Sequence, residues 1–282
     1  MTTNTEADVS VPAKDSRGGL FFNYYPVMIP TALKFQALCK GGAPTPYDIF
    51  TIINADPVLT GITYGLYHEL FPAVPQDFFG IPYIIIKLNV NTVKNNVSAA
   101  AERAILSRET GKRFRKKQKD FLRRSLSAGI VSLLLAKRRG LSEGDTQKYY
   151  CAGLLHDIGA FVLSKESGAV FDGNGVSRAE AGRITAKLWG FPPVLCDAVA
   201  FHTDYRNYTG DHRDVVFHTA LAVSVLDKLG PSGSTAKSRS RGPVPDELLK
   251  GLELDENILD GIEKPFGTEL KKASAFIGLE KD

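Results

Sequence analysis

The run Ser125 to Ala136 (SLSAGIVSLLLA) is apolar on almost every side of a helix, and it constrains the fold more than any other segment. A helix without a polar face must be wrapped by other helices, so it belongs in the middle of a bundle. It follows directly on a dense basic run, KRFRKKQKDFLRR, from Lys112 to Arg124. The first half of such a helix meets water and the second half meets core. With 282 residues and 43% hydrophobic residues, the chain has enough apolar material to surround it.

The remaining punctuation predicts further helices and no convincing pair of strands. Thr31 to Cys39 reads as a short helix closed by Gly41 and Gly42. Pro46 opens a helix that runs to Ala55, with Tyr47, Phe50 and Ile53 at helical spacing. Asp56-Pro57 breaks it and starts another, Val58 to Phe71, which Pro72 and Pro75 end. Pro82 to Leu88 is read as helical despite the β-branched run at Tyr83 to Ile86, because no partner strands are evident nearby. Thr92 to Leu106, Asp145 to Leu155, Arg178 to Trp189, Val194 to His202 and Val215 to Leu229 continue the pattern. The fold class expected is all-α, a compact multi-helix bundle.

Residues 1–19 read as a disordered lead-in, and the aromatic stretch Leu20 to Pro30 as the start of the folded part. Gly230 to Pro245 reads as a flexible basic linker, and 246–282 as two C-terminal helices that dock on the same bundle. Cys39, Cys151 and Cys196 are widely spaced and odd in number, which suits reduced thiols in a reducing compartment. No basic leader followed by an apolar stretch is seen at the start, and no apolar run reaches membrane-span length. The expectation is a cytoplasmic protein with no membrane partner. A net charge of +4 is too mild to imply nucleic acid by itself.

The sharpest chemical feature is GLLHDIG, Gly153 to Gly159. An imidazole and a carboxylate side by side can share one divalent metal, and Gly159 would let the helix end close to it. The ordinary alternative is that His156 hydrogen-bonds a neighbour while Asp157 caps or pairs locally. The flanking residues shift that balance. YYCAGLLHDIGAF, Tyr149 to Phe161, resembles the central motif of the HD phosphohydrolase superfamily, and more closely its HDOD subgroup, the HD-related output domains. AEAGRITAKLWGFPPVLCDAVAFH, Ala179 to His202, is similar to that subgroup's Gly, Trp and Pro pattern followed by a His. IFTIINADPVLTGITYGLYH, Ile49 to His68, resembles its N-terminal segment. The resemblance covers 20–229 and implies an N-terminal helical lobe, about 20–110, and a C-terminal HD-like lobe, 111–229.

The resemblance also implies a ligand set, residue by residue. The first metal-binding His of catalytic HD enzymes falls here at Arg124. The pair itself is His156 and Asp157. A third ligand place falls at Arg178, and the next His is matched by His202. The final Asp falls at Leu221, with His218 close enough to be a second candidate for that place. Two ligand places thus hold a permanent cation, which repels a divalent metal and can neutralise a carboxylate instead. Activation of a water by two metals is not expected from this set. No HD-GYP signature, P-loop, nucleophile elbow or GxGxxG is seen, and the glycines between Gly168 and Gly175 read as a loop.

Three functions stay open. The favoured one is a non-catalytic signal-transduction module with a degenerate site, no expected cofactor and a signalling protein as partner. The second is a metal-dependent phosphohydrolase using His156, Asp157 and His202, for which weak divalent metal binding would suffice. The third is a nucleic-acid or phosphate binder through the basic helix, with Arg113, Lys116, Lys117 and Arg124 as anion contacts and Phe114 and Phe121 on one face. The plainer view of that helix is a solvated face anchored by the two phenylalanines.

Overall fold

The structure, a computed structural model, describes residues 28–42, 44–72, 80–106, 112–163, 176–230 and 243–279. The expectations for residues 1–19, the aromatic stretch up to Tyr25, the loop containing Gly168 to Gly175 and most of the basic linker lie outside the described residues. Within them the chain is all-helical, without a strand. Helices α1 (Ile29–Gly41), α2 (Pro46–Ala55), α3 (Pro57–Leu70), α4 (Ile81–Leu88) and α5 (Val90–Leu106) pack on one another. Helices α6 (Lys112–Arg138), α7 (Glu143–Leu155), α8 (Ile158–Val162), α9 (Arg178–Leu188), α10 (Pro193–Phe201) and α11 (Arg213–Leu229) form the second group. After them, α12 (Asp246–Gly251) rests on α11, and α13 (Glu263–Ile277) packs on α6, α1 and α2.

Local chemistry explains the starts of these helices. Thr45 and Asp48 form a reciprocal capping box at α2, with Pro46 preset at its first position. Asp56 caps α3 by accepting from the amides of Val58 and Leu59, at 2.8 and 3.1 Å. The Thr31 hydroxyl of α1 also donates to Asp56, tying α1 to the α2–α3 corner. Burial raises the Asp56 carboxyl to about 6, against the hydrogen bonds that favour its ionised form. The segment Tyr83 to Ile86 is helical, with Ile84 and Ile85 in the core and Ile86 in solvent.

No described residue of α6 from Phe121 to Ala136 is exposed, and α7, α11, α13 and α1 surround it. Among the described residues no single helix is long and apolar enough to cross a membrane. Helices α2 and α3 reach that composition only together, bent by 115°, and their apolar side chains are largely within the core.

Two close approaches join the helices. Trp189, at the end of α9, is fully buried and lies on Gly61 of α3, where a methyl group would come within 2.2 Å of the indole. Gly159 lets α8 lie backbone to backbone on α9, and a methyl there would come within 1.8 Å of the Arg178 carbonyl. The expectation that Gly159 brings the helix end near a metal is therefore replaced by a packing role: the space beside it is filled by the first turn of α9. Gly159→Ala must push two backbones apart and is expected to cost about 2 kcal/mol or more, as overpacked cores do. Gly267→Ala, in a stretch of α13 with open space around it, is expected to stabilise by a few tenths to about 1 kcal/mol through helix propensity. Urea denaturation of the two variants against the parent protein measures both.

Candidate functional site

Ser142 caps α7 by accepting from the Asp145 amide, and the helix runs to Leu155. His156 follows at its end, and Asp157 is the first residue outside α8. The pair therefore sits on a sharp corner between two helices. The Nδ1–H of His156 donates to the Gly153 carbonyl at 2.7 Å, which fixes the tautomer because a carbonyl can only accept. Its Nε2 is then a lone-pair atom, and it is buried without a hydrogen-bond partner.

His202 repeats this geometry at the end of α10. Its Nδ1–H donates to the Val199 carbonyl at 3.0 Å. The fold brings the two rings edge to face, with centroids 5.3 Å apart. Burial lowers both imidazoles to about 4; Arg124 lowers His156 further, and His156 itself lowers His202. Burial raises the half-buried Asp157 carboxyl, while His202, Arg124 and Arg178 oppose that rise.

Both predicted arginines thus lie close enough to act on Asp157. Arg124 is also held in place, its Nη1 donating to Asp227 Oδ1 at 3.0 Å, from α6 to α11. Asp227 in turn acts on His156. Leu221 is fully buried in the hydrophobic core. The acid that α11 brings toward the corner is Asp227, which the sequence reading did not single out. Among the described residues, no group of three or more His, Cys, Asp or Glu side chains is arranged to hold a metal ion.

His218 stands apart from this corner. Its Nε2–H donates to the Ser132 carbonyl at 2.9 Å, and its Nδ1 accepts from Arg139 at 3.0 Å. Arg139 pairs with both oxygens of Asp214, and the Tyr149 hydroxyl donates to the same carboxylate. Every ring nitrogen of His218 is satisfied, and burial lowers it to about 3. This network was invisible in the sequence, and it withdraws His218 as a second candidate for the last ligand place.

Of the basic run, Lys116 and Lys117 are exposed, Arg124 is paired with Asp227, and the Arg113 and Phe114 side chains lie outside the described residues. Phe121 stacks on Phe161 at 5.1 Å and anchors α6 to α8.

A family model for the HDOD domain matches residues 85–172, a span that includes Arg124 and the His156–Asp157 corner. The chain carries an HDOD domain. Solved structures share the helical fold across most of the chain. The response regulator MmoQ from Methylococcus capsulatus str. Bath superposes with a TM-score of 0.63 at 16% identity, covering 84% of this chain and 97% of that one. A fragment of MmoQ gives 0.60 at 18% identity, covering 84% and 94%. A virulence factor from Campylobacter jejuni gives 0.57 at 15% identity, covering 87% and 92%. At these identities the likeness concerns the fold. No curated protein sequence matches the chain.

Two outcomes follow from these buried groups. His156, His202 and His218 are neutral in the folded protein well below their ordinary value of 6.5. The unfolded chain takes up their protons first, so the stability they permit is whole above about pH 6.5 and declines as pH falls toward 4. Asp56, raised to about 6, works in the opposite sense but only below that value. The urea midpoint is expected to be lower at about pH 5.5 than at about pH 7.5; an equal midpoint would contradict neutral burial of the rings. In the second case, Arg124→Met removes a cation that lowers His156 and frees Asp227, which raises it. The His156 pKa, followed by NMR of its ring protons, is expected to rise.

Proposed function

We propose that this chain is a non-catalytic regulatory HDOD module, which acts by docking to a signalling protein in the cytoplasm. The carrying observation is the charge around His156 and Asp157. Arg124 comes from α6 and Arg178 from the first turn of α9, and both act on the Asp157 carboxylate. Arginine stays cationic at any pH a folded protein meets, so a divalent ion placed there would face two fixed positive charges. Asp227, the acid that α11 contributes, is already bonded to Arg124. The donor set does not fit a hydrolytic metal centre, and no chemical step is derived through one. The name of the response regulator MmoQ, said of that protein, agrees with a signalling role.

A polar cluster without a metal still has a structural use. The Arg124–Asp227 pair links α6 to α11, while His156 and His202 fasten the ends of α7 and α10 to their own carbonyls. A module of this kind offers a fixed surface to a partner.

One observation favours a second reading, a phosphohydrolase with a reduced site. The His156 Nε2 is a buried lone pair without a partner, next to the His202 ring. His156, Asp157 and His202 would be its ligands. Elemental mass spectrometry of protein purified without chelator, beside a His156→Ala variant, separates the two. The regulatory reading expects negligible metal in both samples. Stoichiometric metal that disappears in the variant would overturn it in favour of the hydrolase.

A further inference from the structure

Away from the HDOD corner, His212 is the last residue before α11, and it faces Asp197 of α10. Three side chains close a ring there. The Nδ1–H of His212 donates to Asp197 Oδ2 at 2.7 Å, and the Tyr208 hydroxyl donates to the same oxygen at 2.8 Å. The backbone N–H of His212 donates in turn to the Tyr208 hydroxyl oxygen at 3.1 Å. Gly210 lets the connecting loop fold over that hydroxyl, since a methyl group there would come within 2.5 Å of it. Burial and Asp197 raise the Tyr208 hydroxyl to about 12, so it remains a donor at neutral pH. Phe201 packs on the Tyr208 ring, with centroids 5.1 Å apart.

This arrangement leaves one ring nitrogen open. A carboxylate accepts only, so Nδ1 carries the proton and Nε2 carries the lone pair. Nε2 has no hydrogen-bond partner among the described residues and is not buried, and the side chain is 35% exposed. His212 differs here from His156 and His218. In His156 the lone pair is buried, and in His218 both nitrogens are bonded. An imidazole held by a carboxylate, with its second nitrogen accessible, is prepared to act as a nucleophile. Its chain neighbours Asp211 and Arg213 are both exposed, and Asp214 beyond them is held by Arg139.

From this geometry we infer that His212 is a phosphoacceptor, modified at Nε2 by a small acyl phosphate. The Nε2 lone pair attacks the phosphorus. An N–P bond forms, the P–O bond to the acyl group breaks, and a carboxylate leaves with the electron pair. The Nδ1 proton stays between the ring and Asp197, whose negative charge offsets the cation that forms on the imidazole. What the product meets favours a phosphoryl over an acyl group. The new negative charge stands at the start of α11, a 17-residue helix that begins with Arg213 and whose first amides no side chain caps. The modification places a charged group where α10 meets α11, which is how phosphorylation alters a surface. This inference depends neither on the metal content of the HDOD corner nor on the regulatory reading.

Incubation of the whole protein with acetyl phosphate tests it, read by intact mass, phosphorus NMR and tandem mass spectrometry. One phosphoryl group per chain is expected, on His212, stable in alkali and lost in acid. His212→Asn keeps an N–H for Asp197 but has no nucleophilic ring nitrogen. It is expected to stay unmodified, with circular dichroism unchanged. In Asp197→Asn the new amide donates to Nδ1 and drives the ring proton to Nε2. NMR of the ring nitrogens is expected to show that change of tautomer, with phosphorylation at least about tenfold slower. No modification by acetyl phosphate would overturn the inference, as would a label that persists in His212→Asn or maps to an aspartate. An unchanged rate in Asp197→Asn would also overturn it.

Discussion

Between Phe121 and Ala136, α6 is denied a solvent face, and the rest of the fold is arranged around that constraint. Every polar group on this stretch must find a partner inside the protein or remain unsatisfied at considerable cost. Ser132 shows how this is met. Its hydroxyl donates to the Tyr149 carbonyl of α7 at 2.8 Å, and its own carbonyl accepts from His218 of α11. One residue thus sets the register of two neighbouring helices against the central one. His218 in turn is held by Arg139, which Asp214 and Tyr149 hold. A network that looks like a catalytic cluster in composition is the means by which a buried helix has its polar atoms satisfied.

The HDOD corner depends on the same packing. Because α7 is fixed against α6, its end falls at His156, and the chain must turn at once into α8. The turn is tolerated because Gly159 allows α8 to press on the backbone of α9. That contact brings Arg178 beside Asp157, while α10, packed on α9, delivers His202 to the His156 ring. The corner is therefore assembled from α7, α8, α9 and α10 together with α6 and α11, and only the last two are joined there by an ion pair.

Most helices could be read from local signals. Pro46, Pro57 and Pro193 mark starts, and the ends predicted at Ala55, Leu88 and Leu155 coincide with those observed. The main corrections are a residue or two at other ends, such as the longer α1, where Pro30 sits inside the first turn. The His156–Asp157 pair is adjacent in sequence, and its approach to His202 was legible through the resemblance. Asp227 was not. Its partner Arg124 lies 103 residues away, and an ion pair across that distance leaves no periodicity or spacing to recognise. The resemblance placed the last ligand position at Leu221, which lies in the core, whereas Asp227, six residues further along α11, presents a different face. The Arg139–Asp214 pair, separated by 75 residues, was missed for the same reason.

Charge at the corner is settled by a contest between burial and neighbours. For the two histidines, burial outweighs the nearby carboxylates Asp227 and Asp157, and both rings stay neutral. For Asp157, burial raises the carboxyl even though His202, Arg124 and Arg178 all favour its ionised form. Arg124 is bonded to Asp227 across two helices and still acts on Asp157 as a cation. Further up α6 the same residue type meets water, at Arg115 beside Lys116. Basic groups nine residues apart on one helix therefore have different chemistry, because α11 covers one of them with a carboxylate and nothing described does so for the other.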